Sequence, residues 1–190
     1  MAVTALDART ALVVIDFQEG IAAMTGRAAL AGPVTRAGRL AAAFRERGLP
    51  VVLVRVGFSP DGADRPANRV TRAPSLDDPP ANWAELMPEL DPRPTDVVIT
   101  KRQPGAFHGT DLDLQLRRRG STGIVLCGVA TSLGVESTAR AAYDHGYNVT
   151  FAVDAMTDFN PAAHQHSVEV VFPRFGEVDT TERIRELLPA

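Results

Sequence analysis

The chain has 190 residues, of which 45% are hydrophobic and 23% are charged, and its formal net charge is −3. This ordinary globular composition excludes a disordered chain, and its mild acidity gives no support for nucleic-acid binding. The single cysteine excludes an intrachain disulfide and a cysteine-rich zinc site.

Apolar runs of strand length alternate with helical patterns along the chain. The runs are nearly continuous in hydrophobicity and rich in β-branched residues, which is typical of parallel strands covered on both faces. They span Ala11–Asp16, Val51–Val56, Asp96–Thr100, Gly123–Gly128 and Asn148–Asp154. A short sixth strand is predicted near Glu177–Asp179.

Helix start and stop signals lie between these runs, with glycine after several helices and an Asn-Pro pair before another. They predict helices over Pro33–Arg47, Asp111–Arg119 with Thr110 as N-cap, Ser132–His145, Asn160 to about Val171, and Thr181–Leu188. Alternating strands and helices predict right-handed crossovers. We therefore expect an α/β fold, a three-layer αβα sandwich around a parallel sheet of five or six strands.

Length and apolar patterning also set expectations for domain organisation and location. The start of the chain lacks the basic and apolar segments of a signal peptide, and the apolar runs are too short to span a membrane. We expect a cytoplasmic protein with one domain over residues 1–190. The one long stretch without periodicity, Ser59–Asn82, is typical of a functional loop, a lid or a subunit contact. Its Arg72 either meets a substrate carboxylate or is solvated.

Asp16 ends the first strand directly after four apolar residues. Its carboxyl is therefore expected at the carboxyl edge of the sheet, half shielded from water. Burial there would raise its pKa and let it donate or accept a proton near neutral pH. A turn or N-cap aspartate is the structural alternative, and it is the commoner outcome for an aspartate after a strand.

Two further strand ends carry candidate chemistry. Lys101 follows the third strand, where it could stabilise an anion or polarise a carbonyl, although Arg102 competes for this role and a solvated lysine is the alternative. The turn Gly128–Gly134 follows the fourth strand. Its small residues let a ligand approach the backbone, and the helix start offers N–H donors. A tight strand-to-helix turn is the structural alternative.

Taken together, these segments resemble the isochorismatase-like hydrolases. The resemblance covers ALVVIDFQ near the start, TKRQPGAFHGTDLDLQLRRRG in the middle and GVATSLGVESTARAAYDHGYNVTFAVDAMTD after it. It implies that Asp16 is the acid/base residue, that Lys101 is its cationic partner, and that Gly134 stands where many members carry a nucleophilic cysteine. It also implies a cis peptide bond at Val129-Ala130. The residues around this bond, Val129, Ala130 and Thr131, are the candidates to bind substrate or an oxyanion.

The absence of a nucleophilic cysteine at position 134 limits the reactions that the protein can catalyse. Cys127 lies inside the fourth strand, so we expect it to pack as a small apolar residue. Thr131 and Ser132 could attack in principle, but no histidine is recognisably placed to activate them. The resemblance then implies the route of true isochorismatases, acid-catalysed cleavage of a vinyl ether, with Asp16 as the acid. Because the Lys101 ammonium opposes protonation of Asp16, burial has to outweigh it.

Two alternatives stay open, a cysteine-independent amidase that uses activated water and a non-catalytic relative that binds a metabolite or assembles with partners. Gln18 is predicted to support the site, and Phe107 and Trp83 are candidate pocket walls, with core or subunit contacts as the alternative for both rings. Related nicotinamidases carry an Asp/His metal cluster after the second strand, but this chain has no histidine there. We predict no metal and no cofactor, a small-molecule substrate, and a homo-oligomer.

Overall fold

The computed structural model describes residues 2–71 and 79–189. Six parallel strands form one sheet in the order β3-β2-β1-β4-β5-β6. Their bounds are β1 Thr10–Ile15, β2 Val51–Val56, β3 Val97–Lys101, β4 Gly123–Val129, β5 Asn148–Thr157 and β6 Gly176–Asp179. The predicted α/β sandwich with a parallel sheet is confirmed, including its short sixth strand.

Six α-helices of the described ranges accompany the sheet. They are α1 Glu19–Thr25, α2 Arg27–Glu46, α3 Leu112–Arg118, α4 Glu136–Asp144, α5 Pro161–His166 and α6 Thr181–Glu186. Helix α2 contacts β1, β4 and β5, whereas α4 and α6 contact β5. Among the described residues, no helix combines the length and the apolar character that a membrane crossing requires.

The central strands explain the continuous apolar runs of the sequence. Every residue of β1 and of β4 is buried, because these two strands lie side by side in the middle of the sheet. Gly128 is required at the end of this pairing. A Cβ there would lie 2.2 Å from the carbonyl oxygen of Ile15, and the residue has a φ of 131°. Glycine therefore allows β4 to approach β1 closely beside the strand ends.

Several predicted boundaries are wrong. Helix α2 begins at Arg27 rather than at Pro33, and α1 before it was not predicted; Pro33 lies inside α2, whose buried face of Leu30, Val34 and Leu40 holds the helix together. Burial against the core has outweighed the preference of proline for the first turn.

Strand β5 extends to Thr157, three residues beyond the predicted end at Asp154. The pairing of β4 with β5 shifts between Leu126 and Gly128, which accommodates the extra length. Asp154 accordingly lies within the strand, where its carboxylate accepts hydrogen bonds from the amide and hydroxyl of Thr181. The residues at the carboxyl end of β5 are Thr157 and Asp158.

Candidate active site

Asp16 and Lys101 meet at the carboxyl edge of the sheet. The ammonium of Lys101 lies 2.7 Å from Oδ2 of Asp16, and the two residues are 2% and 6% exposed. Asp16 follows β1 at the point where the strand order reverses between β1 and β4, which is where open α/β sheets bind ligands. The structure thus brings together two of the side chains that the sequence singled out.

The conformation of Asp16 leaves one carboxyl oxygen free. Its φ of 54° lies in the left-handed region, which turns the chain away from the strand end. Oδ2 contacts Lys101, whereas Oδ1 is buried and has no hydrogen-bond partner among the described residues. A buried polar atom without a partner is costly, so its persistence marks a position that a ligand or a proton can satisfy.

Burial governs the protonation of Asp16. Loss of solvation raises the pKa of this carboxyl to about 6, and this effect outweighs the attraction and hydrogen bond of Lys101, which lower it. Burial and the Lys101 ammonium act on this pKa in opposite directions, as expected from the sequence, and burial has the larger effect. A carboxyl with this pKa exchanges its proton near neutral pH, as general acid/base catalysis requires.

Lys101 and Arg102 have different roles. Beside its contact with Asp16, the Lys101 ammonium donates to the carbonyl oxygen of Gln103 over 3.2 Å. The guanidinium of Arg102 instead pairs with Asp64, which also accepts the Ser59 amide. Lys101 is thus the cation that contacts Asp16, and Arg102 anchors the start of the loop predicted over Ser59–Asn82. Arg72 of that loop lies outside the described residues.

A wide turn connects β4 to α4. The peptide bond Val129-Ala130 is cis, and residues Thr131–Val135 form one π-type turn in which the amides of Leu133 and Val135 both donate to the carbonyl of Ala130. Such turns recur at functional sites. Within the described chain, the amides of Thr131 and Gly134 make no hydrogen bond to residues outside the turn. These two donors are therefore the candidates to contact a bound anion.

Gly134 lies directly against the carboxyl group. A Cβ at this position would be 3.2 Å from Oδ2 of Asp16 and 2.9 Å from Cγ2 of Ile15. The turn therefore faces Asp16 with its backbone, and no nucleophilic side chain can reach from this position. Cys127 does not replace it, because its thiol is buried within β4 and burial raises its pKa far above neutral.

Strand β5 and helix α5 hold the turn from one side. The Ser132 amide and hydroxyl donate to Asp158. Oγ1 of Thr131 lies 3.0 Å from the carbonyl oxygen of Thr157 and 2.8 Å from Nδ1 of His164. No histidine was recognisably placed beside Thr131 in the sequence, and the structure brings His164 to its hydroxyl. The Asn160-Pro161 pair could have indicated this contact. It starts α5 shortly after β5, the neighbour of β4, so the first turns of α5 lie at the same edge of the sheet.

Thr138 holds the turn from the other side. Its hydroxyl donates to the carbonyl oxygen of Gly134 and accepts a hydrogen bond from the amide of Ala106, which belongs to the loop that follows Lys101. Thr138 is fully buried. The turn and the loop after β3 are therefore fixed to each other next to the Asp16–Lys101 pair.

Gln18 and Trp83 connect the site to its surroundings through the backbone. The Gln18 side chain donates to the carbonyls of Val56 and Trp83 and accepts from the amide of Val56. The Trp83 indole also donates to the carbonyl of Val56. Both side chains fix the position of the β1 and β2 ends, and the supporting role of Gln18 at the site stays a prediction.

Phe107 lies in different surroundings. Its ring is 5.0 Å from that of His145 and 5.9 Å from that of Tyr147. These contacts account for its burial without a ligand, and the role of Phe107 as a pocket wall stays a prediction.

Two other structural features concern ligands. In the described ranges, no cluster of three or more His, Cys, Asp or Glu side chains could hold a metal ion. Two open cavities, of about 390 and 530 Å³, lie at the opposite edge of the sheet, where the strands begin. Neither includes Asp16 or Lys101, so neither is the site described here.

Comparison with known proteins places these features in a family. The Isochorismatase domain family matches residues 10–183. The isochorismatase family protein YecD of Escherichia coli is 47% identical over 180 residues, which cover 94% of this chain and 96% of YecD. Ureidoacrylate amidohydrolase RutB of Methylorubrum extorquens is 32% identical over an alignment of 201 positions, which covers 91% of this chain and 81% of RutB.

A solved structure shows the same fold. An isochorismatase family protein from Burkholderia thailandensis superimposes with a TM-score of 0.89 at 40% sequence identity, and the match covers 97% of each chain. The matched family range contains Asp16, Lys101 and the Thr131–Val135 turn. The chain therefore belongs to the isochorismatase family of hydrolases.

Proposed function

We propose that this hydrolase cleaves the vinyl ether of a small anionic, isochorismate-like metabolite, with Asp16 as the proton donor. The observation that carries the proposal is the Asp16 carboxyl itself: its Oδ1 is buried without a hydrogen-bond partner in the described part of the chain, and its pKa is raised to about 6. A neutral carboxyl in this position can donate a proton, as vinyl-ether cleavage requires.

The proton goes to the terminal methylene carbon of the enolpyruvyl group. The carbon–carbon double bond supplies the electron pair for the new C–H bond, which leaves an oxocarbenium ion at the ether carbon. Water adds to this carbon and returns one proton to the Asp16 carboxylate. The resulting hemiketal collapses to pyruvate and an alcohol, so Asp16 ends the cycle protonated.

Lys101 acts on the charges that appear during this cycle. When Asp16 has given up its proton, the ammonium 2.7 Å away stabilises the carboxylate. The same ammonium is a candidate to contact the substrate carboxylate. Because the pair is almost fully buried, water screens these interactions weakly.

The turn supplies donors instead of a nucleophile. Gly134 carries no side chain, so a covalent thioester route has no sulfur at this position. We infer that the amides of Thr131 and Gly134, oriented by Val129 and Ala130, bind an anionic group of the substrate. This arrangement favours chemistry that needs an acid and a binding site for charge.

A second candidate is hydrolysis of an amide by activated water. RutB, 32% identical to this chain, is named as a ureidoacrylate amidohydrolase. In this reaction the ionised Asp16 would accept a proton from water, and the turn amides would stabilise the tetrahedral oxyanion. The two candidates use opposite protonation states of the same carboxyl.

The test is direct turnover of both substrate classes. Purified protein is incubated with isochorismate, with pyruvate measured, and with ureidoacrylate, with ammonia measured. Pyruvate release that is lost in Asp16→Asn and retained in Cys127→Ser is the expected result. Release of ammonia alone would favour the amidase. Turnover of neither compound would overturn both substrate assignments.

We also propose that the protein acts without metal or cofactor, as a cytoplasmic homo-oligomer. The chemistry above uses protein groups alone, which supports the first point. Dialysis against a chelator is expected to leave the rate unchanged, and light scattering after gel filtration is expected to give a mass above that of one chain. A rate that only added metal restores would contradict the first point.

A further inference from the structure

One contact reaches the active-site turn from the neighbouring strand and helix. Thr131 is fully buried at the start of the turn, and its hydroxyl lies between the carbonyl oxygen of Thr157 and Nδ1 of His164. Thr157 pairs with Val129, the residue before the cis bond. The contact therefore acts at the point where β4 leaves the sheet and the turn begins.

The hydroxyl of Thr131 fixes the direction of these hydrogen bonds. It carries one proton, and the carbonyl of Thr157 can only accept. Both contacts are hydrogen bonds only if the hydroxyl donates to Thr157 and Nδ1 of His164 donates to the hydroxyl. This assignment places a proton on Nδ1 of the His164 ring.

We propose that His164 is a positioning residue that holds Thr131, and with it the turn, in the orientation that presents the amides of Thr131 and Gly134 to the substrate. The inference rests on the proposed function in one respect, because it requires that the turn contacts the substrate. The backbone of Gly134 lies against the Asp16 carboxyl, so a shift of about 1 Å in the turn would move its donors relative to the proton donor.

Other hydrogen bonds keep the turn folded when this contact is lost. Ser132 still donates twice to Asp158, and Ala130 still accepts from two amides of the turn. Loss of the His164 contact should therefore change where the turn lies without unfolding it. This separates a positioning role from a purely structural one.

Side-chain length provides a matched pair of variants. In His164→Asn the amide nitrogen can occupy the position of Nδ1, whereas in His164→Gln the longer side chain carries its amide beyond Thr131. Thr131→Val removes the hydroxyl and keeps the shape. We expect His164→Gln and Thr131→Val each to lower kcat by about tenfold to a hundredfold, while both variants stay folded at the assay temperature. His164→Asn should restore kcat to within about threefold.

Two controls complete the experiment. His166→Gln changes an exposed histidine of the same helix and is expected to leave kcat unchanged. The double variant His164→Gln/Thr131→Val should be no slower than the slower single variant, because both remove one interaction. A further multiplicative loss would overturn the proposal.

A spectroscopic measurement keeps the test independent of the substrate. Nitrogen-15 NMR of the His164 ring should show a proton on Nδ1 in the wild type and a changed Nδ1 signal in Thr131→Val. If neither proposed substrate is turned over, the proposed function fails while this readout still decides the contact. An Nδ1 without a proton, or an unchanged kcat in His164→Gln on a substrate that is turned over, would overturn the positioning role.

Discussion

At the scale of single residues, Asp16 is controlled by two opposing effects. The Lys101 ammonium favours the carboxylate, and burial favours the neutral acid. Burial has the larger effect and raises the pKa to about 6. An exposed pair of the same kind would hold a permanently ionised aspartate. Because the pair is buried, Asp16 can hold and donate a proton instead of staying ionised beside Lys101.

The pH dependence of turnover tests which form of Asp16 reacts. If the neutral acid donates the proton, kcat/KM for the vinyl ether is level at low pH and falls about tenfold per pH unit above about pH 6. The measurement is initial pyruvate release from pH 4.5 to pH 8, with the protein checked for folding at each pH. A rate that rises through pH 6 would instead assign the ionised carboxylate as the base.

Gly134 should tolerate no side chain. In Gly134→Ala the new Cβ would lie 2.9 Å from Ile15 and 3.2 Å from Asp16, so buried groups must shift. We expect a loss of about 1–3 kcal/mol in the free energy of unfolding, together with a loss of turnover. Urea unfolding and pyruvate release measure the two effects.

Gly105→Ala is the matched control for this change. Its Cβ would meet Ser137 at ordinary contact distances of 3.6 Å and more, in the loop next to the site. The control should stay close to the wild type in stability and turnover. Equal behaviour of the two variants would contradict a close fit of the turn against Asp16.

At the scale of elements, Gln18 joins β1 to β2 and to the segment at Trp83. The side chain makes three hydrogen bonds of 2.7–2.9 Å to backbone groups and is fully buried. These bonds satisfy backbone groups at the β2 end that the ladder does not reach. Gln18 therefore sets the spacing of two strand ends next to the Asp16 carboxyl.

Replacing this amide should destabilise the fold. In Gln18→Leu the partly buried amide of Val56 and the carbonyl of Trp83 lose their bonds to this side chain, so we expect a loss of about 2–4 kcal/mol in the free energy of unfolding. The comparison is Gln165→Leu on the surface of α5, whose side chain donates to Glu169 and whose change should stay within about 0.5 kcal/mol. A Gln18→Leu variant as stable as this control would show that the bonds contribute little.

At the scale of the whole molecule, the sequence patterns predict the sheet and the edge that carries the site. Continuous apolar runs indicate buried parallel strands, and parallel strands bring their carboxyl ends to one edge. This is why Asp16 and Lys101, 85 positions apart in the printed numbering, could be expected at the same edge, whereas their pairing was implied by the family resemblance. Asp16 directly after β1 and Lys101 at the end of β3 carried this information.

The contacts that hold the turn could not be read from such patterns. Thr131 and His164 belong to different elements, and their meeting depends on the true end of β5, three residues beyond the predicted one. The sequence around Asp154 has the pattern of a strand end. It gives no sign of the register shift between Leu126 and Gly128, which accommodates the extra length of β5. Side-chain pairs across elements depend on register, and a one-residue error in register exchanges the two faces of a strand.

The stability of the whole molecule should carry the signature of Asp16. Its pKa is about 6 in the folded chain and 3.8 in the unfolded one, so between these values the folded state keeps a proton that the unfolded state has lost. The free energy of unfolding must then fall as the pH rises through this window, by about 3 kcal/mol from this group alone. Above about pH 6 both states are ionised at this position, and the contribution stops changing.

Asp16→Asn isolates this effect, because every other titrating group is shared with the wild type. Urea unfolding between pH 4 and pH 7 should show the wild type losing stability relative to the variant as the pH rises, with most of the change below about pH 6. A constant difference in unfolding free energy between the two proteins reflects the new amide and the unpaired Lys101. Only a difference that changes with pH reports the proton held by Asp16. Parallel curves over the whole range would mean that Asp16 does not hold its proton when the chain folds, and that the acid proposed for the reaction is absent.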